Sequence, residues 1–138
     1  MKKVLILCTG NSCRSIMAEG MINKLLAEDL NLPVYSYSSG VKASGKVNPN
    51  AKKILENNQA WKEEYHSKVL DEVIDLEFDL IVTVCDHAKE TCPIFPKQAP
   101  KIHVGFKDPD GSDFQEFVDL WEEMKVRLIP EVRAKLEI

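Results

Sequence analysis

The sequence predicts an α/β domain, a four-stranded parallel sheet flanked by helices with an anion-binding loop directly after the first strand. Three observations point there. Residues 4–7 and 80–84 are short, continuous apolar runs, the signature of strands covered on both faces. Between them, Met17, Ala18, Met21, Ile22, Leu25 and Leu26 recur at helical spacing, so strand and helix alternate. Both apolar runs also stop at a cysteine, Cys8 and Cys85. Ligands in such folds bind outside the carboxyl ends of the strands, where the strand order reverses.

The elements follow in order. Residues 4–7 form the first strand, and the helical period begins at Ser15 and ends at Asn31-Leu32-Pro33, since proline cannot continue a helix. Residues 34–38 alternate, with Val34, Ser36 and Ser38 on one side and Tyr35 and Tyr37 on the other; Gly40 stops this second strand. Asn48-Pro49 is a helix start, asparagine as cap and proline at the first helical position. Ala51, Ile54 and Leu55 supply its buried stripe, and Asn57-Asn58 closes it. Ser67 is expected to cap a short helix carrying Leu70, Val73 and Ile74. Residues 80–84 are β-branched and apolar, the clearest strand in the chain. A polar segment runs from Cys85 to Cys92 and is stopped by Pro93 and Pro96, and residues 102–104 make a fourth strand. Asp108-Pro109 and Asp110-Gly111 mark residues 105–111 as a loop. Ser112 and Gln115 read as a capping box for a last helix whose core face is Phe114, Phe117, Trp121, Met124 and Leu128. Pro130 is expected to kink or break that helix, leaving residues 131–136 as a final turn or two.

Composition bounds the function. The 138 residues make one domain, residues 1–138, with 44% hydrophobic and 29% charged residues, as in ordinary globular proteins. A net charge of −4 speaks against nucleic-acid binding, which usually needs a basic surplus. No apolar run approaches the roughly 18 residues that span a bilayer, and the apolar run after Met1-Lys2-Lys3 is too short for a secretion signal. A cytoplasmic monomer is the expectation. In a reducing cytoplasm, cysteines at positions 8, 13, 85 and 92 suggest catalysis, redox chemistry or metal binding before structural staples. Zinc fits poorly, because six residues separate Cys85 from Cys92 where two to four are usual. His66, His87 and His103 are scattered.

The stretch from Cys8 to Ser15 carries the chemistry. A strand delivers a thiol into a tight loop, and a helix opens on the far side. Unpaired backbone N–H groups and the helix dipole at that N-terminus attract an anion. The planar fork of Arg14 would clamp an oxyanion, and the same field favours the Cys8 thiolate over its thiol. Cys8 is therefore the candidate nucleophile, Ser15 a hydroxyl donor to its sulfur, and Thr9, Gly10, Asn11, Ser12, Cys13 and Arg14 the oxyanion cradle. Cys13 reads as a packing residue.

Cys8-Thr9-Gly10-Asn11-Ser12-Cys13-Arg14-Ser15 resembles the phosphate-binding loop of the low-molecular-weight protein tyrosine phosphatases and of the thioredoxin-coupled arsenate reductases that share their fold. Asp108-Pro109 looks like the aspartate-proline loop of both groups, whose aspartate is the general acid toward the leaving oxygen. The two families part at Cys85 and Cys92. Residues 82–93, including Pro93 after the second cysteine, look like the redox segment of the reductases. So do Met17-Ala18-Glu19-Gly20, Val47-Asn48-Pro49 and Gly105-Phe106. The resemblance implies reduction of arsenate to arsenite, and hence arsenic detoxification, by a relay. Cys8 is the nucleophile, Cys85 resolves the arseno-adduct, Cys92 takes over the disulfide, and thioredoxin supplies electrons in place of a bound cofactor. Phosphate and sulfate would compete for the loop.

A helix of seven residues separates its ends by about 10.5 Å, whereas a disulfide needs Cα atoms roughly 4.4–6.8 Å apart. A helical segment from Cys85 to Cys92 would therefore have to unwind on oxidation. Some family members also bind potassium through positions matching Asn11, Glu19 and Ser38, while residues 56–69 depart from the pattern. Val69 falls where a further aspartate ligand would stand, with Asp71 a loose substitute. The alternatives are a phosphotyrosine phosphatase, which leaves the cysteine pair unexplained, and an oxyanion- or redox-sensing module, which would not need a general-acid loop.

Overall fold

The computed structural model describes residues 1–86 and 94–138. Four parallel strands form the sheet: β1 (Lys2–Cys8), β2 (Val34–Gly40), β3 (Leu80–Thr83) and β4 (Lys101–His103), in the spatial order β2-β1-β3-β4. The chain runs from β1 outward to β2, then returns to the other side of β1 for β3. That reversal lies between β1 and β3, and Cys8 and Cys85 emerge there. Leu7 pairs with Thr83, and the Val84 N–H donates to the Leu7 carbonyl at 3.3 Å, so the two strand ends are level.

One face of the sheet is covered by α1 (Arg14–Ile22), α2 (Pro49–Asn57) and α3 (Phe114–Leu136). Val4, Ile6 and Val82 point into this main core, against Ile16, Met17, Phe117, Trp121 and Met124. Leu5, Leu7 and Ile81 point the other way, into a smaller cluster with Val73 and Phe95. β2 carries a polar layer on its α1 side. Ser36 Oγ donates to the Glu19 carbonyl at 2.8 Å, and the Ser36 N–H donates to Asn23 Oδ1 at 2.8 Å. The backbone beyond Ile22 widens into a π-helical turn over Asn23–Asp29.

The second helix begins as its sequence indicates: Asn48 Oδ1 accepts from the N–H groups of Asn50 and Ala51, with Pro49 in the first turn. Three expectations are corrected. Ser67 caps nothing; the short helix shrinks to a 3₁₀ turn over Leu70–Glu72, and the Ser67 hydroxyl donates to the Gly10 carbonyl at 3.3 Å instead. The cap of α3 is Asp113, whose carboxylate accepts from the Glu116 N–H, while Gln115 turns along the helix to donate to Asp119. Pro130 does not break α3, which runs unbroken to Leu136. Pro130 lies on the exposed face, so water can reach the carbonyl it leaves without an amide partner. Leu128, Val132 and Leu136 continue the buried stripe past it.

Candidate active site

The loop from Cys8 to Arg14 is held from outside by its carbonyls. Thr9 O accepts from the Lys42 N–H at 3.0 Å, Gly10 O from Ser44 N–H at 2.9 Å, Ser12 O from Asn48 N–H at 3.0 Å, and Cys13 O from Met17 N–H at 2.9 Å. In a planar trans peptide the C=O of one residue and the N–H of the next point in opposite directions. The outward carbonyls of Thr9, Gly10 and Ser12 thus turn the N–H groups of Gly10, Asn11 and Cys13 toward the ring that the loop encloses. The first turn of α1 adds its own amides: the side chain of its cap residue, Cys13, accepts from none of them, and the turn contains no acidic residue. The enclosed cavity measures about 270 Å3 and is lined by the loop together with Ser44, Asp108 and Asp110.

Asn11 holds the loop's shape. It sits at φ 50°, a left-handed conformation asparagine tolerates better than most residues. Its Oδ1 accepts from the Lys68 N–H at 2.8 Å and its Nδ2 donates to Ser15 Oγ at 2.8 Å. Gly40, at the end of β2, fits because nothing larger could: a Cβ there would lie 2.5 Å from the Thr9 carbonyl oxygen.

Arg14 is buried, with its guanidinium donating to the Phe106 carbonyl at 3.1 Å and standing 3.7 Å from Asp108 Oδ2. Phe106 is itself clamped, its buried ring under the Arg127 guanidinium at 4.8 Å and its N–H donating to Val84 O at 3.1 Å. Gly105 lets this segment pass close to the end of β3, since a Cβ there would meet the Cys85 carbonyl at 3.0 Å. The loop bearing Asp108 is thus fastened beside both Arg14 and Cys85. Asp108 Oδ1 accepts from the Asp110 N–H at 3.0 Å, and Asp110 Oδ1 accepts from Asn48 Nδ2 at 2.8 Å.

The cysteines differ. Cys8 and Cys13 are buried and outside any disulfide, whereas the Cys85 sulfur is in one. Burial pushes the Cys13 thiol up to about 12, and Asp108 and Asp110 push in the same direction, so Cys13 stays protonated. Cys92 lies outside the described residues, as does most of the expected redox segment.

The residues matching the potassium positions do not fit a metal ion. Glu19 Oε1 accepts from Ser38 Oγ at 2.6 Å and faces Lys68 Nζ at 3.7 Å, and Asn11 Oδ1 is taken by the Lys68 N–H. Val69 and Asp71 are exposed. A larger cavity of about 570 Å3, lined among others by Glu19, Tyr35, Tyr65 and Lys68, opens beside this pair and has no cysteine in its lining. In the smaller cavity thiol, guanidinium and carboxylates converge. Sequence reading missed Gly40, Lys68 and Asp110 as parts of the site. Only Asp110 carried a signal, its place two residues after Asp108.

Residues 3–136 match the family model described as low molecular weight phosphotyrosine protein phosphatase. The chain is 39% identical over 127 residues to arsenate reductase 1 of Staphylococcus saprophyticus, covering 92% of this chain and 93% of that one. It is 39% identical to an arsenate reductase of Bacillus cereus, covering 92% and 91%. Among solved structures, an arsenate reductase in a phosphate-binding state superimposes with a TM-score of 0.78 at 27% identity, covering 98% of each chain. The arsenate reductase of Archaeoglobus fulgidus superimposes at 0.74 with 30% identity, covering 88% of this chain and 91% of that one.

Proposed function

We propose that this chain, which belongs to the low molecular weight phosphotyrosine protein phosphatase family, reduces arsenate to arsenite by a thiol relay re-reduced by thioredoxin. The observation that carries the reading is the meeting of two cysteines at one sheet edge. Cys8 opens an anion loop at the end of β1, and Cys85, in a disulfide that includes neither Cys8 nor Cys13, follows the adjacent β3. A hydrolytic phosphatase has no step for a second cysteine. The relatives named arsenate reductase, matched over nine-tenths of the chain, support the same reading.

In the proposed sequence, arsenate lies in the ring of Gly10, Asn11 and Cys13 amides with Arg14 across its oxygens. The Cys8 thiolate attacks arsenic while Asp108 gives a proton to the departing oxygen, which leaves as water. Ser15, which already accepts from Asn11, keeps its own proton to donate toward the Cys8 sulfur. The Cys85 thiolate then attacks the Cys8 sulfur. A sulfur–sulfur bond forms, the sulfur–arsenic bond breaks, and its electron pair leaves with arsenic as arsenite, so two thiolates are oxidised by two electrons and arsenic is reduced by two. Cys92 displaces Cys8 from Cys85, and thioredoxin reduces the resulting disulfide. Cys85 in a disulfide with Cys8 outside it is the arrangement expected once the oxidation has left the loop. Phosphate and sulfate, of similar shape, are competing ligands.

The test follows arsenate-dependent NADPH oxidation with thioredoxin and thioredoxin reductase in the wild type and in Cys8→Ser, Cys85→Ser and Cys92→Ser. Each variant is expected to lose turnover. If Cys85→Ser and Cys92→Ser match wild type while p-nitrophenyl phosphate is hydrolysed briskly, the protein is a phosphatase and the relay is wrong.

A further inference from the structure

We propose that the ammonium group of Lys68 is the fixed cation of the oxyanion loop's supporting shell, standing where a potassium ion would otherwise sit, so that this protein organises its loop without a monovalent metal. Lys68 is a buried lysine, 7% exposed, whose Nζ stands 3.7 Å from Glu19 Oε1 and donates to the His66 carbonyl at 3.2 Å. Lysine is rarely buried without a charge partner, and a buried carboxylate equally needs one. Each answers the other, so the pair is neutral without a bound metal ion.

The pair is wired to the loop through the backbone of the same lysine. The Lys68 N–H donates to Asn11 Oδ1 at 2.8 Å, and the Lys68 carbonyl accepts from the Gly40 N–H at 3.0 Å. Val69, next along, bridges to Gly40. Anchoring the ammonium therefore fixes a short segment that holds Asn11 in its left-handed conformation, and Asn11 in turn holds Ser15. Lys68 touches no reacting atom and is a positioning residue.

A further metal ion finds no place here. Glu19 Oε1 already accepts from Ser38 Oγ, and the nearest positive charge would be the Lys68 ammonium itself. Truncating Lys68 to alanine removes that charge, strips Glu19 of its counter-ion and leaves oxygens of Glu19, Ser38 and His66 around the vacated space. The adjoining cavity of about 570 Å3 gives a hydrated ion a way in. Because the pair shapes the loop itself, its effect reaches any oxyanion the loop holds and is read from binding alone, without turnover.

The test compares phosphate binding, by isothermal titration, and thermal stability in potassium chloride and choline chloride at equal ionic strength. The wild type is expected to give the same phosphate affinity and the same melting temperature in both salts. Lys68→Ala should bind phosphate about tenfold more weakly in choline chloride and recover most of that loss, saturably, in potassium chloride. A potassium-specific gain in the wild type overturns the proposal. So does a Lys68→Ala protein whose binding is unchanged in choline chloride, or one weakened equally in both salts, where the lysine would be packing alone. Should Lys68→Ala not fold, Lys68→Ser, which vacates the same space, replaces it beside the wild-type comparison, with the same results supporting or overturning the proposal.

Discussion

Replacing Gly40 with alanine tests how the loop is held. The added methyl carbon would lie 2.5 Å from the Thr9 carbonyl oxygen and 3.1 Å from both the backbone nitrogen and the Cβ of Asn11. Unstrained carbon contacts are about 3.5 Å, so the Thr9 carbonyl and the β2 backbone must part by nearly 1 Å. Neither side gives readily. Thr9 O is held by Lys42, and Gly40 is tied to Lys68 and paired with Cys8. Overpacking of this kind costs about 1–3 kcal/mol, or a fall in melting temperature of about 2–12 °C for a domain of this size. Because the displaced atoms form the oxyanion ring, kcat/KM for arsenate should fall on the order of 10²-fold. Gly45→Ala is the control. Gly45 has φ +83° but open space around its Cα, so alanine there adds about 1 kcal/mol of backbone strain without pushing on the ring. It should lower the melting temperature by a few degrees and leave kcat/KM within twofold. A Gly40→Ala enzyme with wild-type kcat/KM, or a Gly45→Ala enzyme equally impaired, would refute the reasoning.

Other expectations follow from single residues. Cys13 is held protonated up to about pH 12, so iodoacetamide at pH 8 should modify Cys8 in the reduced protein and leave Cys13 untouched, read by peptide mass spectrometry; equal labelling contradicts the assignment. Burial lifts the Glu19 carboxyl from 4.5 to about 7, against the opposing pull of Lys68 and Ser38. The folded state then holds this proton more tightly than the unfolded state, so the stability it contributes is complete below about pH 4.5 and is lost as pH rises toward 7. The loss is on the order of 3 kcal/mol. Denaturant titrations at pH 5 and 7.5 should show a smaller pH-dependent fall in Glu19→Gln than in the wild type, and identical slopes would contradict it. Pro130→Ala should stabilise the protein by about 1–3 kcal/mol, since alanine restores an amide donor to a helix that already runs through this position. An unchanged or lowered melting temperature would show that the proline is not a burden there.

The parts of the structure that depend on local pattern were legible in the residues. The runs ending at Cys8 and Cys85 announce two strands and the edge where they finish, and Asn48-Pro49 announces the start of α2, because cap chemistry is local. Ser67 and Ser112 misled for the same reason. Each is a competent cap, but Ser67 is drawn to the Gly10 carbonyl by a contact between residues 57 apart, and Asp113 outcompetes Ser112 one residue later. Pro130 is tolerated because it falls on the exposed face, which periodicity indicates only once the helix is known to continue. Lys68 was the hardest to see. A lone lysine in a polar stretch reads as solvated, and only the fold brings Glu19 from α1 to meet it, with Ser38 of β2 donating to the same carboxylate.

The relay itself is tested most directly by a single turnover without thioredoxin. Fully reduced protein mixed with arsenate should release one arsenite per chain and lose two thiols, with no second turnover. Arsenite absent, or released with all thiols retained, would contradict the relay.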